Sequence, residues 1–204
     1  ITDLRGYTWQ FTYDSQHQVL TEIDARGITA ITNHYDSQRR VIQQVNAVNQ
    51  TTSYEYSAEG NLFKTKITAL NGPSVYHYYD QAFNIVKIVD GKGKEAVFTY
   101  DSKSNRLSTQ DKKTKTTTSQ FDAAGNPTSF TDRMSVTSEV AYDVNSRPIQ
   151  IKDGLGNTSA FDYDGSGNLT RMTNKSGGEI EVSYDAAGQP LTIKNPMNGL
   201  WEMT

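Results

Sequence analysis

The sequence has no cysteine anywhere in its 204 residues. That excludes disulfide scaffolds, thiolate metal sites and cysteine nucleophiles, and leaves the redox state of the compartment open. Long apolar runs are missing too. No stretch approaches the roughly 20 apolar residues of a membrane span, and nothing at the N-terminus reads as a signal peptide. There is no basic excess, with 20 Lys and Arg against 23 Asp and Glu and a formal net charge of −3. Nucleic-acid binding by a basic face is therefore disfavoured, because that affinity comes largely from cations neutralising phosphates. The one basic cluster, Lys112-Lys113-Thr114-Lys115, reads as a solvated turn. Apolar residues make up only 35%, little for a domain built round one thick core, whereas 12 Tyr and 7 Phe argue against disorder.

What is present is a repeat. An aromatic residue opens each of nine copies, at Tyr13, Tyr35, Tyr56, Tyr79, Tyr100, Phe121, Tyr142, Tyr163 and Tyr184. The steps are mostly 21 residues, with 22 at the first and 23 at the third. Asp follows the aromatic at Asp14, Asp36, Asp80, Asp101, Asp122, Asp143, Asp164 and Asp185, and the exception is Ser57. The fifth residue after the aromatic is always polar: Gln18, Arg40, Asn61, Asn84, Asn105, Asn126, Arg147, Asn168 or Gln189. A self-similar period of this length marks a repeat architecture and governs every local reading.

Each copy carries two turn signals between short runs that alternate like strands, such as Val97-Phe98-Thr99-Tyr100 and Trp9-Gln10-Phe11-Thr12-Tyr13. The first signal is aromatic-Asp-x-x-Gly-Asn, with glycine at Gly60, Gly125, Gly167 and Gly188. The second is Asp-x-x-Gly, with Gly27, Gly72, Gly93, Gly156 and Gly177, and with Asn49 and Asn198 as substitutes. Asp orders such a turn by accepting backbone N–H bonds, and Gly or Asn supplies the positive φ that closes it. Pro127, Pro148 and Pro190 follow directly, where a missing N–H costs least. Apolar residues recur seven positions after the aromatic, as at Leu107, Ile149 and Leu191, and nine after it, as at Phe130, Ile151, Met172 and Ile193. They share one face with the aromatics if the first turn is a four-residue loop that pairs the aromatic with the residue seven on. The second turn is then a three-residue loop with its glycine left-handed.

Isolated hairpins are marginal in water, so each must stack on its neighbours. The expected fold is all-β: tandem antiparallel β-hairpin repeats of about 21 residues, eighteen strands forming a curved, spiralling strip. Residues 1–204 are read as one array of nine units, with Tyr, Phe, Leu and Ile on a single face.

The string Tyr163-Asp164-Gly165-Ser166-Gly167-Asn168-Leu169, its eight relatives and the Asp-x-x-Gly turn halfway through each copy resemble the YD-repeat, or Rhs-repeat, family. The likeness covers essentially residues 7–200. It implies a hairpin strip that spirals into a hollow shell, as in bacterial polymorphic toxins, insecticidal toxin complexes and teneurins. By that resemblance the chain is a non-catalytic shell segment of a larger protein that encloses or presents a toxin or effector, secreted or at a bacterial cell surface. The implied partners are the remaining repeats and a C-terminal toxin or effector domain. The alternative is a surface module that binds a glycan or a cell-surface protein through the curved sheet. No cofactor, nucleic acid or membrane span is implied. Nine copies make an arc, fewer than shell-forming members carry. The self-cleavage segment of bacterial cores is matched only by Asn195-Pro196-Met197-Asn198-Gly199-Leu200, with Asn in place of Asp, and reads as an ordinary half-repeat turn.

Chemistry-bearing motifs are weak beside the repeat. Asp162-Tyr163-Asp164-Gly165-Ser166-Gly167 opens like a calcium loop, yet its twelfth position is Thr173, and the repeat already requires Asp164 and Gly167. His17, His34 and His77 occupy three different positions of the unit and are expected to scatter. There is no Gly-x-Ser-x-Gly elbow, His-Glu-x-x-His run or phosphate-cradling loop, and an Asp needed in every turn explains itself without sugar hydrolysis. Four N-glycosylation acceptor strings, at Asn49, Asn157, Asn168 and Asn174, are unsurprising in an Asn- and Thr-rich chain. The residues expected to anchor the structure are the aromatic and Asp of each copy, with Gly60, Gly125, Gly167 and Gly188; no catalytic or metal residue is expected.

Overall fold

The computed structural model describes the chain apart from residues 3, 5, 7, 196, 198, 203 and 204 and the side chains of residues 200–202. Asn198, read above as a turn-closing residue, lies outside the described residues. The chain divides into two compact units, Ile1–Phe98 and Thr99–Thr204.

The first unit holds β1 (Gln10–Tyr13), β2 (Val19–Ile23), β3 (Thr29–Tyr35), β4 (Val41–Asn46), β5 (Thr51–Glu59), β6 (Leu62–Ala69), β7 (Val75–Tyr79), β8 (Ile85–Val89) and the start of β9 (Glu95–Tyr100). Each pairs antiparallel with the next in chain order. The second unit continues with β10 (Arg106–Gln110), β11 (Thr116–Phe121), β12 (Pro127–Thr131), β13 (Thr137–Tyr142) and β14 (Pro148–Lys152). It ends with β15 (Thr158–Tyr163), β16 (Leu169–Thr173), β17 (Glu179–Tyr184), β18 (Pro190–Lys194) and β19 (Leu200–Glu202). These too pair with their sequence neighbours. The fold is all-β and made of consecutive hairpins. Nineteen strands are described where eighteen are expected, because β19 opens a further hairpin after the ninth copy.

Strand pairing sorts the side chains. Val140 faces Ile151, Met172 lies between Phe161 and Ile180, and Val182 faces Ile193, which builds an apolar face. The intervening positions carry polar pairs. Arg171 Nε donates to Asp162 at 2.6 Å, and the hydroxyls of Ser183 and Thr192 meet at 2.6 Å. This is the period-2 sorting of a sheet with unlike faces. Burial is nonetheless thin: Tyr78 is the only buried apolar residue among those described, and Phe130 remains 49% exposed on the apolar face.

Two expectations need correction here. The first turn is a three-residue loop, like the second, rather than a four-residue one. In it Phe121 pairs with Pro127, six residues on, while Gln120 pairs with Ser129. A bulge absorbs the extra residue, so Ser119 still faces Phe130 as the apolar pattern requires. The strand register stands, and only the route round the corner differs. Second, the tyrosines do not all share one face. Val75, His77 and Tyr79 alternate with Tyr76 and Tyr78, which lie opposite Lys66 and Lys64 in β6.

The third copy departs furthest. Without Asp at position 57, β5 and β6 run on to a two-residue loop, Gly60-Asn61, with Glu59 opposite Leu62. Gly60 has φ +60, the first-position signature of a type II′ hairpin. Tyr56 consequently faces Thr65 and not Phe63. The following turn also differs from expectation, since Asn71 takes the positive φ (57) and Gly72 does not.

Candidate functional site

The repeated turn is built round one carboxylate. Asp164 Oδ1 accepts the N–H of Ser166 and of Asn168, both at 2.9 Å. Its Oδ2 accepts the Asn168 side-chain amide at 2.9 Å. Gly167 N–H donates to the Asp164 carbonyl at 3.1 Å, and Asp164 N–H to the Asn168 carbonyl at 3.0 Å. In the copies where it is Asn beside an Asp, or Arg, the polar fifth residue clamps the second carboxylate oxygen. Asn84, Asn105 and Asn126 do so by amide, and Arg40 and Arg147 by guanidinium. Asp14 and Asp185 take the same two backbone N–H bonds. The Asn168 amide, followed by backbone donors, holds the Asp164 carboxyl below its ordinary value, and the corresponding Asn amides do the same first at Asp80, Asp101 and Asp122. At Asp36 and Asp143 the backbone N–H of the Arg five positions after the aromatic is the leading cause.

The second turns repeat the scheme, with Asp24, Asp90, Asp111, Asp132, Asp153 and Asn174 in the Asp role. Asn195 joins them by accepting from Met197 at 3.0 Å and Gly199 at 2.9 Å, the bonds that Asp makes in the other half-repeat turns.

Tyrosine hydroxyls link one copy to the next. Tyr163 Oη donates to the Pro148 carbonyl at 3.0 Å, and Tyr184 Oη to Leu169 at 2.9 Å. Tyr35 Oη reaches the carbonyl of Val19, Tyr56 that of Val41 and Tyr142 that of Pro127. Each acceptor is the residue opposite the preceding aromatic, where the bulge disturbs the ladder. The tyrosine thus occupies an acceptor that ordinary pairing would use. Tyr79 follows the copy that lacks this bulge, and its hydroxyl lies 3.5 Å from His77 Nδ1 instead. Arg40 and Arg147 add a second link, stacking 4.4 Å above Tyr56 and 4.6 Å above Tyr163.

The left-handed loop position is not reserved for glycine. Gly125, Gly167 and Gly188 hold it with positive φ, but so do His17, Arg39, Phe83, Ser104 and Ser146 in other first turns, and Thr114 and Ser135 in second turns. A network of bonds to Asp imposes this conformation on residues that do not favour it.

Next to the irregular copy the sheet opens into a groove of about 450 Å³. One wall is the parallel pair Phe63 and Phe83, with ring centroids 5.0 Å apart and planes 6° off parallel. Tyr56, Tyr79 and Arg40 also line it. Burial pushes the Tyr56 phenol up. On the other face Lys64 pairs with Glu59 at 2.7 Å and lies 5.1 Å from the Tyr78 ring centre, and its ammonium pKa is pushed up to about 12, first by Glu59. Sequence reading did not bring Phe63 and Phe83 together. The signal was Phe83 itself, a bulky residue at the loop position that other copies give mostly to Ser or Gly.

The residues weighed for other chemistry do not converge. The Asp162 carboxylate faces Arg171 while Asp164 turns into its own loop. His17 stands in a turn, His34 in β3 and His77 in β7. Among the described residues no group of three or more His, Asp or Glu is placed to hold a metal ion.

The family model described as Teneurin YD-shell matches residues 92–204, more than half the chain. The chain belongs to the YD-shell family. Among solved structures, this YD-shell chain superposes on the crystal structure of TcdB2-TccC3-TEV with a TM-score of 0.70 and 14% identity, covering 92% of this chain and 12% of that one. A Photorhabdus luminescens Tc holotoxin pore carrying a TccC3 mutation gives a TM-score of 0.42 and 12% identity, over 92% of this chain and 14% of that one. TcdB2-TccC3 without its hypervariable C-terminal region gives 0.45 and 12%, over the same 92% and 14%. At these identities the likeness is one of fold, and this chain spans a small part of each. No curated protein matches.

Proposed function

We propose that this YD-shell chain is a non-catalytic structural segment of a larger protein that encloses or presents a toxin or effector, secreted or displayed at a bacterial surface. The observation that carries this reading is where the polar chemistry is spent. The turn aspartates accept their own loop's N–H groups, and five tyrosine hydroxyls are committed to links between copies. The half-exposed apolar face, with Phe130 and Leu191 uncovered, fits a segment that works against more protein. Likeness of fold to TcdB2-TccC3-TEV supports the same reading. The test is limited proteolysis of the parent protein. An enclosed C-terminal segment should resist protease, and pairing Tyr163→Phe with Asp164→Ala should expose it. Equal resistance in wild type and double variant would contradict the shell role. A second reading, recognition of a glycan or protein through the sheet, has the open groove beside Tyr56 on its side.

A further inference from the structure

Turns and staples leave one feature without a structural reason. Phe83 holds a left-handed loop position (φ 61) and is 70% exposed. A large aromatic residue there carries both backbone strain and exposed apolar surface. Its ring instead extends Phe63 into a flat wall along a groove of about 450 Å³, a volume typical of small-molecule sites. The groove lies where the repeat is broken, and breaks in an otherwise consistent pattern are where function is expected.

The geometry points to a binding site for a neutral pyranose sugar between the Phe63–Phe83 wall and Tyr56. A pyranose ring offers a flat face of C–H groups to aromatic rings and hydroxyls round its edge. Arg40, the cation stacked on Tyr56 at the groove, is already matched: it pairs with Asp36 at 2.7 Å. An anionic ligand would have to displace a carboxylate. A sugar hydroxyl, which both donates and accepts, suits the Arg40–Asp36 pair and the Thr65 hydroxyl, which lies opposite Tyr56 in the ladder. This site stands independently of the shell reading.

The test is saturation-transfer difference NMR on the chain Ile1–Thr204 with methyl glycosides of glucose, galactose and mannose. At least one should receive saturation from the protein with a Kd of about 1 mM, the range for so small a ligand. Phe83→Gly should weaken it about 10-fold or more. Glycine accepts the same φ, so the melting temperature should hold or rise, which separates lost binding from lost folding. His17→Gly changes the equivalent loop position of another copy and should leave binding unchanged. The site is overturned if no glycoside binds, if Phe83→Gly binds as well as wild type, or if N-acetylphenylalaninamide binds and the glycosides do not.

Discussion

Residues 99–204 and residues 1–98 are written in the same repeat, yet the two units use it differently. In the second unit Phe121, Tyr142, Tyr163 and Tyr184, each with its Asp, make the same corner: a carboxylate-ordered loop, a bulge, and in Tyr142, Tyr163 and Tyr184 a hydroxyl bonded to the copy before. The first unit contains the one copy without Asp, and three regular features fail together there. The loop shrinks to two residues, the bulge vanishes, and the next tyrosine does not reach a carbonyl in the preceding copy. The groove opens at the same place. The lesson is that Asp, bulge and tyrosine act as one device. The family model matches residues 92–204, where the device is intact.

The largest way to sharpen this contrast is acid. Lowered carboxyls in residues 99–204 include Asp101, Asp111, Asp122, Asp143, Asp153 and Asp164. Those in residues 1–98 include Asp24, Asp36, Asp80 and Glu59. A folded pKa below the unfolded one gives stability that is complete above about pH 4 and is lost as pH falls through the folded values. Amide hydrogen exchange followed from about pH 5 down to pH 2 should show the Ser166 and Asn168 N–H groups, held by Asp164, losing protection over that range, with less change at the two-residue Gly60-Asn61 corner. Equal loss at both corners would break the comparison.

Single substitutions come next. Asp164→Ala strips the acceptor from two backbone N–H groups and the Asn168 amide, and should lower the melting temperature by several degrees. Ser57→Ala, at the same repeat position in the irregular copy, should change it little. Tyr163→Phe removes one interstrand bond and should cost about 1 kcal/mol in denaturant unfolding, whereas Tyr79→Phe should cost little because no carbonyl depends on it. The smallest effect has the opposite sign. Thr114 is β-branched at φ 65, so Thr114→Gly should stabilise by about 0.5 kcal/mol, the relief of left-handed strain less glycine's chain entropy.

The period made strand order and strand register legible, because apolar residues seven and nine positions after each aromatic can share its face in only one alignment. The corner was not legible, since a four-residue loop and a three-residue loop with a bulge leave the strands in the same register. The tyrosine links were hidden for the same reason: their acceptors are carbonyls at the bulge. Left-handed Ser, Thr, His and Arg were missed because local preference argues against them and the bonds to Asp override it. The groove depends on what replaces a missing turn, and Ser57 alone does not say whether the strands stop short or run on.

The most direct test of the central claim, that one carboxylate holds each regular corner, is an NMR titration of the aspartate carboxyl carbons. Asp80, Asp101, Asp122 and Asp164 should titrate below the ordinary value of 3.8 and return towards it when the matching Asn is replaced by Ala. Ordinary values in the intact chain would contradict it.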